Sequence, residues 1–161
     1  MVLLCACHES DNEQILDQLD QVIESKGLYA VRFERRVDSL RRELCTASDD
    51  TMRWRTANRL FDSYITYNID TAARYVALMY DLAEHTGRRD MKFLSTTCDI
   101  SVLIGRNNIE DAYDRIRSLD TAGITKRMRA NYYTQQMVVY GRLASQNTSE
   151  SVSYTHLTLP T

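Results

Sequence analysis

The sequence predicts an all-α protein in which helical hairpins stack on one another behind a long N-terminal helix pair. Three observations carry that prediction. From Asp11 to Leu143 apolar residues recur at steps of three and four, the interval that keeps side chains on one helix face. That whole region lacks proline; the single one in the chain is Pro160. Short clusters of Gly, Asn, Asp, Ser and Thr divide the pattern into helix-length pieces, as turns and helix caps require.

Composition bounds the class. The 161 residues are 26% charged and 43% apolar, ordinary values for one soluble globular domain. A net charge of −2 gives no global basic field for nucleic acid or an anionic membrane. The basic residues are 17 Arg and 3 Lys, interleaved with acids as in "RFERRVDSLRREL", the pattern of a solvated helix face. Arg35, Arg36, Arg41 and Arg42 form a basic patch, but Glu34, Asp38 and Glu43 interrupt it, which argues against nucleic-acid binding. No apolar run approaches the roughly 20 residues of a membrane-spanning helix.

Residues 1–10 read as a truncated leader. "MVLLCACHESDNE" starts apolar and turns polar at His8, like the back end of a secretory signal with a clipped apolar region. "LCAC", Leu4 to Cys7, also resembles a bacterial lipobox, in which Cys7 would be lipidated.

The elements follow in order. Ile15, Leu16, Leu19, Val22 and Ile23 make a first helix that Gly27 should break or bend. Tyr29, Phe33, Val37, Leu40 and Leu44 make the stripe of a second, which calls for a partner, the first helix being nearest. "TASDD" supplies a turn and an N-cap. A hairpin follows, residues 50–68 and 70–87, with Asp70 or Thr71 as the second cap and Gly87 at the C′ position. A further hairpin begins at Phe93, turns at "GRNN" and ends near Asp120; "KRMRANYYTQQMVVYGRLASQ" opens a third.

The two complete hairpins superpose on Ala72 and Ala112, 40 positions apart. Leu60 and Ile100 precede them by 12 positions, and Val76 and Ile116 follow by four. Small residues where helices touch, with bulky ones in the groove, match tetratricopeptide (TPR)-type pairs, whose usual period is about 34 residues. The longer spacing makes this a degenerate TPR-like solenoid. Residues 11–150 are therefore one TPR-like domain that stops inside its third hairpin. The last helix, with Met137, Val138 and Tyr140, should expose apolar surface and self-associate or fray.

The chain shows no catalytic, metal or cofactor signature: G-x-G-x-x-G, Walker A, H-E-x-x-H and G-x-S-x-G are all missing. Cys45 and Cys98 read as buried free thiols without zinc spacing. His85, one turn before Gly87, suits the negative end of a helix dipole. Glu110 and Asp111 belong in the first turn of a helix. The ten tyrosines suit inter-helix packing. In a TPR-like stack the first helices line a concave groove, which nominates Tyr64, Thr97, Asn131 and Thr134 as contacts for a protein, a peptide or a small ligand. The chain reads as a binding module, not an enzyme.

"QILDQLDQVIESKGLYAVRFERRVDSLRREL", with "RVDSL" at Arg36 to Leu40, resembles the opening of a bacterial family of membrane-anchored regulators that contains a domain of unknown function. So does "LFDSYITYNIDTAARYVALMYDLAEHTG", Leu60 to Gly87. In that family a signal peptide and an exported TPR-like region precede one transmembrane helix, a coiled coil and a helix-turn-helix-like DNA-binding region. The resemblance covers Asp11 to Leu143. It implies an extracytoplasmic sensor or interaction segment of a transcriptional regulator, at the periplasmic face of the inner membrane. The membrane would be reached through the missing helix or a lipid on Cys7, and this fragment would touch no nucleic acid. The alternative is a stand-alone adaptor or lipoprotein that binds protein partners.

Residues 151–161, "SVSYTHLTLPT", are uncharged and unlike what precedes them. Written as codons they resemble the end of a transposase-based sequencing adapter read in frame, so the expectation is a non-native tail. The other readings are a disordered polar tail, or a weak strand from the alternation of Val152, Tyr154, His156, Leu157 and Leu159.

Overall fold

The computed structural model describes the backbone of residues 9–157, with side chains at residue 12 and residues 14–146. The leader readings at Cys5, Cys7 and His8 therefore lie outside the described residues. Six α-helices make up the described secondary structure: α1 Glu9–Thr46, α2 Asp50–Tyr64, α3 Ile69–Thr86, α4 Arg89–Gly105, α5 Ile109–Arg117 and α6 Lys126–Leu157. The fold is all-α, as the apolar periodicity predicts. The chain divides into two compact units, Met1–Ser39 and Leu40–Thr161.

The expected N-terminal helix pair is instead one helix of 38 residues. Gly27 does not break the helix. It has no positive φ, and a Cβ there would meet nothing within 4 Å. A glycine inside a helix costs only about 1 kcal/mol relative to alanine, and the good helix formers Lys26 and Leu28 flank it without a turn cluster. Within the first unit the consequence is an uncovered stripe: Ile15, Leu16, Leu19, Val22 and Ile23 are 52–61% exposed.

The second unit begins with the last residues of α1. Glu43 accepts hydrogen bonds from Thr56 Oγ1 at 3.0 Å and from Arg59 at 2.8 Å, both on α2. Asp49 caps α2 by accepting from the Met52 N–H at 2.9 Å. α2 ends at Tyr64, earlier than the sequence suggests, because Tyr67 and Asn68 turn their N–H groups back to the Tyr64 carbonyl.

α3 then starts from Asn68, whose Oδ1 accepts from the Thr71 N–H at 2.9 Å. The expected caps, Asp70 and Thr71, already lie inside the first turn. Only Asn68 has the extended backbone, φ −149° and ψ 95°, from which a side chain reaches the free N–H groups. Gly87 closes α3 with φ 63°, the left-handed geometry expected of a C′ glycine.

Packing follows a repeat plan. α2 packs on α3, α3 on α4, α4 on α5, and α6 on both α4 and α5. The equivalences read from the sequence are the core: Leu60 and Ile100, Ala72 and Ala112, Val76 and Ile116 are all buried. Ile100, Ile109, Ala112, Ile116 and Val139 form one cluster in which α6 completes the wall. The end of α4 lies close to the start of α3: a Cβ on Gly105 would come 2.5 Å from Ile69 Cδ1. In the turn that follows, Asn107 takes a positive φ of 61°.

Two further expectations are corrected. Cys45 is exposed, not buried, because it lies off the apolar stripe of α1; Cys98 is buried. The backbone of residues 151–157 continues α6 and is not a strand. No described helix is long and apolar enough to cross a membrane.

Candidate groove between the first helices of the hairpins

Residues of α2, α4 and α6 and the turn before α6 surround a cavity of about 640 Å³. Its walls are built by the repeat itself. Trp54, Asn58 and Phe61 on α2 are followed 40 positions later by Leu94, Cys98 and Ser101 on α4. Leu94, Thr97 and Cys98 are followed 37 positions later by Asn131, Thr134 and Gln135 on α6. Each row uses the spacing of three or four that keeps side chains on one helix face.

Three of the four nominated contacts, Thr97, Asn131 and Thr134, line this cavity together. Tyr64 does not. At about 100° per residue it lies roughly a quarter turn from the Trp54–Asn58–Phe61 row. It is buried, with its hydroxyl accepting from Arg41 at 2.8 Å and its ring stacked on Tyr75 at 5.8 Å.

Hydrogen bonds across the stack hold the walls. The Trp54 indole N–H donates to Ser95 Oγ at 3.0 Å, joining α2 to α4 below the groove. Gln135 Nε2 donates to Ser101 Oγ at 2.7 Å, joining α6 to α4. Cys98 Sγ donates to Asn58 Oδ1 at 3.5 Å, a contact between positions one repeat apart. The hydroxyls of Thr97 and Thr134 are turned onto their own helices, donating to Leu94 O at 2.8 Å and Ala130 O at 3.0 Å. Asn131 lines the groove and is exposed, and its side-chain amide carries two donors and an acceptor.

The groove is mixed in chemistry. Trp54, Phe61 and Met128 make a buried apolar floor, and Asp62, Asp90 and Arg127 lie at the rim. Arg88 chelates Asp90 at 3.0 and 2.6 Å and holds that carboxyl below its usual range. The Cys98 thiol goes the other way. Burial foremost, then the Asp62 and Asp99 charges, push it up to about 12. A thiol so placed stays protonated and is no nucleophile at neutral pH.

The other singled-out residues have structural surroundings. His85 Nδ1 donates to the Asp81 carbonyl at 2.7 Å in the last turn of α3. Glu110 and Asp111 occupy the first turn of α5, where Asn108 donates to Asp111 at 2.9 Å. No group of three or more His, Cys, Asp or Glu side chains with metal-binding geometry occurs among the described residues. Sequence reasoning missed Trp54, Asn58 and Gln135. Extending the 40-residue spacing from the second helices to the first would have found the α2 row.

The arrangement defines a class: a helical-repeat domain of the TPR type, whose first helices enclose a groove. Within that class, the chain belongs to the family described as the SusR N-terminal TPR domain, whose model matches residues 23–159. The match runs from Ile23, inside α1, into the residues after Glu150. No curated protein and no solved structure matches the chain. Domains of the TPR type are in general protein-interaction modules.

Proposed function

We propose that this domain is the extracytoplasmic interaction segment of a membrane-anchored transcriptional regulator, and that the α2–α4–α6 groove takes its partner or ligand. The groove carries the reading. It combines an apolar floor, a polar wall from three helices and a volume of about 640 Å³, which suits a peptide segment or a small ligand. The resemblance of Gln14–Leu44 and Leu60–Gly87 to exported regulators, together with family membership, supports the regulatory part.

The test uses the complete gene. A reading frame that continues past Glu150 into a transmembrane helix and a DNA-binding region is expected, and a stop codon soon after Glu150 would overturn the reading. Alkaline phosphatase fused after α6 should be active only if the segment is exported. In the full-length regulator, Asn131→Ala and Gln135→Ala should blunt the response of a reporter promoter while the protein level holds.

Leu4–Cys7 favours a second reading, a lipid-anchored adaptor. Acyl labelling abolished by Cys7→Ser would support it, and absence of label would remove it. We also read Ser151–Thr161 as translated adapter, which raw sequence at that end checks: native codons there would overturn it.

A further inference from the structure

α1 carries a surface that the groove does not use. Leu16, Leu19, Ile23, Lys26, Ala30 and Phe33 alternate by three and four positions, a repeat of 3.5 residues along one continuous helix. A straight α-helix turns every 3.6 residues, so this spacing suits a helix that supercoils left-handedly with another. Ile15, Val22 and Tyr29 run beside the seam at steps of seven. Those three and Leu16, Leu19 and Ile23 are each more than half exposed. A lone helix with such a face is marginal in water, because helices draw most of their stability from packing that face.

The charges indicate what covers it. From Glu9 to Glu24 the sequence holds six carboxylates and no Lys or Arg. From Lys26 to Arg36 it holds Lys26, Arg32, Arg35 and Arg36 against one carboxylate, Glu34. Two such helices side by side in parallel would lay acid on acid and base on base. Reversed, each acidic half lies along the other copy's basic half, and the two helix dipoles also oppose. Lys26, the one charged residue in the seam, would limit the registers available, the use polar seam residues commonly have.

We propose that the Glu9–Ser39 stretch of α1 pairs with the same stretch of a second copy as an antiparallel coiled coil. The occupant is the chain itself, chosen because the stripe is self-complementary in charge only when reversed. A helix of a different protein would have to reproduce the same split.

Sedimentation equilibrium of the whole chain tests this. The expected species is a dimer whose dissociation constant rises with added chloride, because screening removes attraction between opposite charges. Leu19→Asp with Ile23→Asp should raise that constant by about 100-fold or more, since both apolar anchors are lost from both copies. Far-UV circular dichroism should show the hairpin stack still folded, as both residues are exposed. Met137→Asp, on the exposed face of α6, should leave the dimer intact. A monomer at submillimolar concentration overturns the proposal, as does a dimer lost through Met137→Asp and not through the α1 pair. A dimer that tightens with salt overturns the antiparallel arrangement.

Discussion

The first unit and the hairpin stack use the same device, an apolar stripe at helical spacing, and reach opposite outcomes. In the stack, Leu60, Val76, Met79, Ile100 and Ile116 are at most 3% exposed, each facing a neighbouring helix. In the first unit Ile15, Val22 and Ile23 are at least 58% exposed. The difference lies in what accompanies the stripe. Each hairpin has a turn that returns the chain, built by Asn68, Gly87 or Asn107, and a small residue that lets the next helix approach. α1 has the small residues Gly27 and Ala30 but no such turn between Glu9 and Ser39. A stripe at helical spacing suits a helix; a turn is needed to supply its partner within the same unit.

Substitutions can break or sharpen that contrast. The largest effect is expected at Ile100. Truncating it to alanine should cost about 3 kcal/mol in denaturant unfolding, against less than about 0.5 kcal/mol for Ile23→Ala in dilute monomer. Equal effects would show that α1 is packed after all. Next, Ala112→Leu should cost about 2 kcal/mol, because a fully buried alanine leaves no room for three added carbons. A neutral result would remove the small-residue argument for the stack.

The third test is alkaline pH. Burial raises the Tyr80 phenol, with Thr96 opposing, and lifts Cys98 from 9.0 to about 12. Both groups hold their protons more tightly folded than unfolded. The Cys98 contribution is therefore complete below pH 9 and is lost as pH rises from about 9 towards about 12, and that of Tyr80 falls in the same direction above pH 10. Thermal melts should fall across that window, less steeply in Cys98→Ala. Peptide-mapped thiol labelling should be about 100-fold slower at Cys98 than at exposed Cys45. Comparable rates would mean that the α2–α4 contact opens readily. The smallest effect is at Gly27. Alanine there should stabilise α1 by about 1 kcal/mol and slow amide exchange over residues 20–34. Faster exchange would reveal a bend that glycine serves.

The stack was legible because its repeat leaves a numerical trace. The pairs Leu60/Ile100, Ala72/Ala112 and Val76/Ile116 can be found by aligning the chain with itself, and every one is core. The groove was legible in part. Thr97, Asn131 and Thr134 share a cavity, but Tyr64 required knowing which side of α2 faces inward, and its bond with Arg41 carries no local signal. The continuity of α1 through Gly27 is not legible in the sequence. A glycine marks a helix end only when the backbone there turns left-handed, as at Gly87, and composition alone does not distinguish the two. The Asn68 cap is hidden for a similar reason: Asn68, Asp70 and Thr71 could each cap, and only backbone geometry selects one.

Trp54 is the single tryptophan of the chain, and it lines the groove floor at 7% exposure with its N–H held by Ser95. Emission excited at the red edge, beyond tyrosine absorption, therefore originates at one residue, and that residue lines the candidate groove. A ligand that enters should shift the emission by changing the water and dipoles around one indole, whereas pairing through α1 should leave it unchanged. The protein thus carries its own optical probe of occupancy, and candidate partners can be titrated against it without a label.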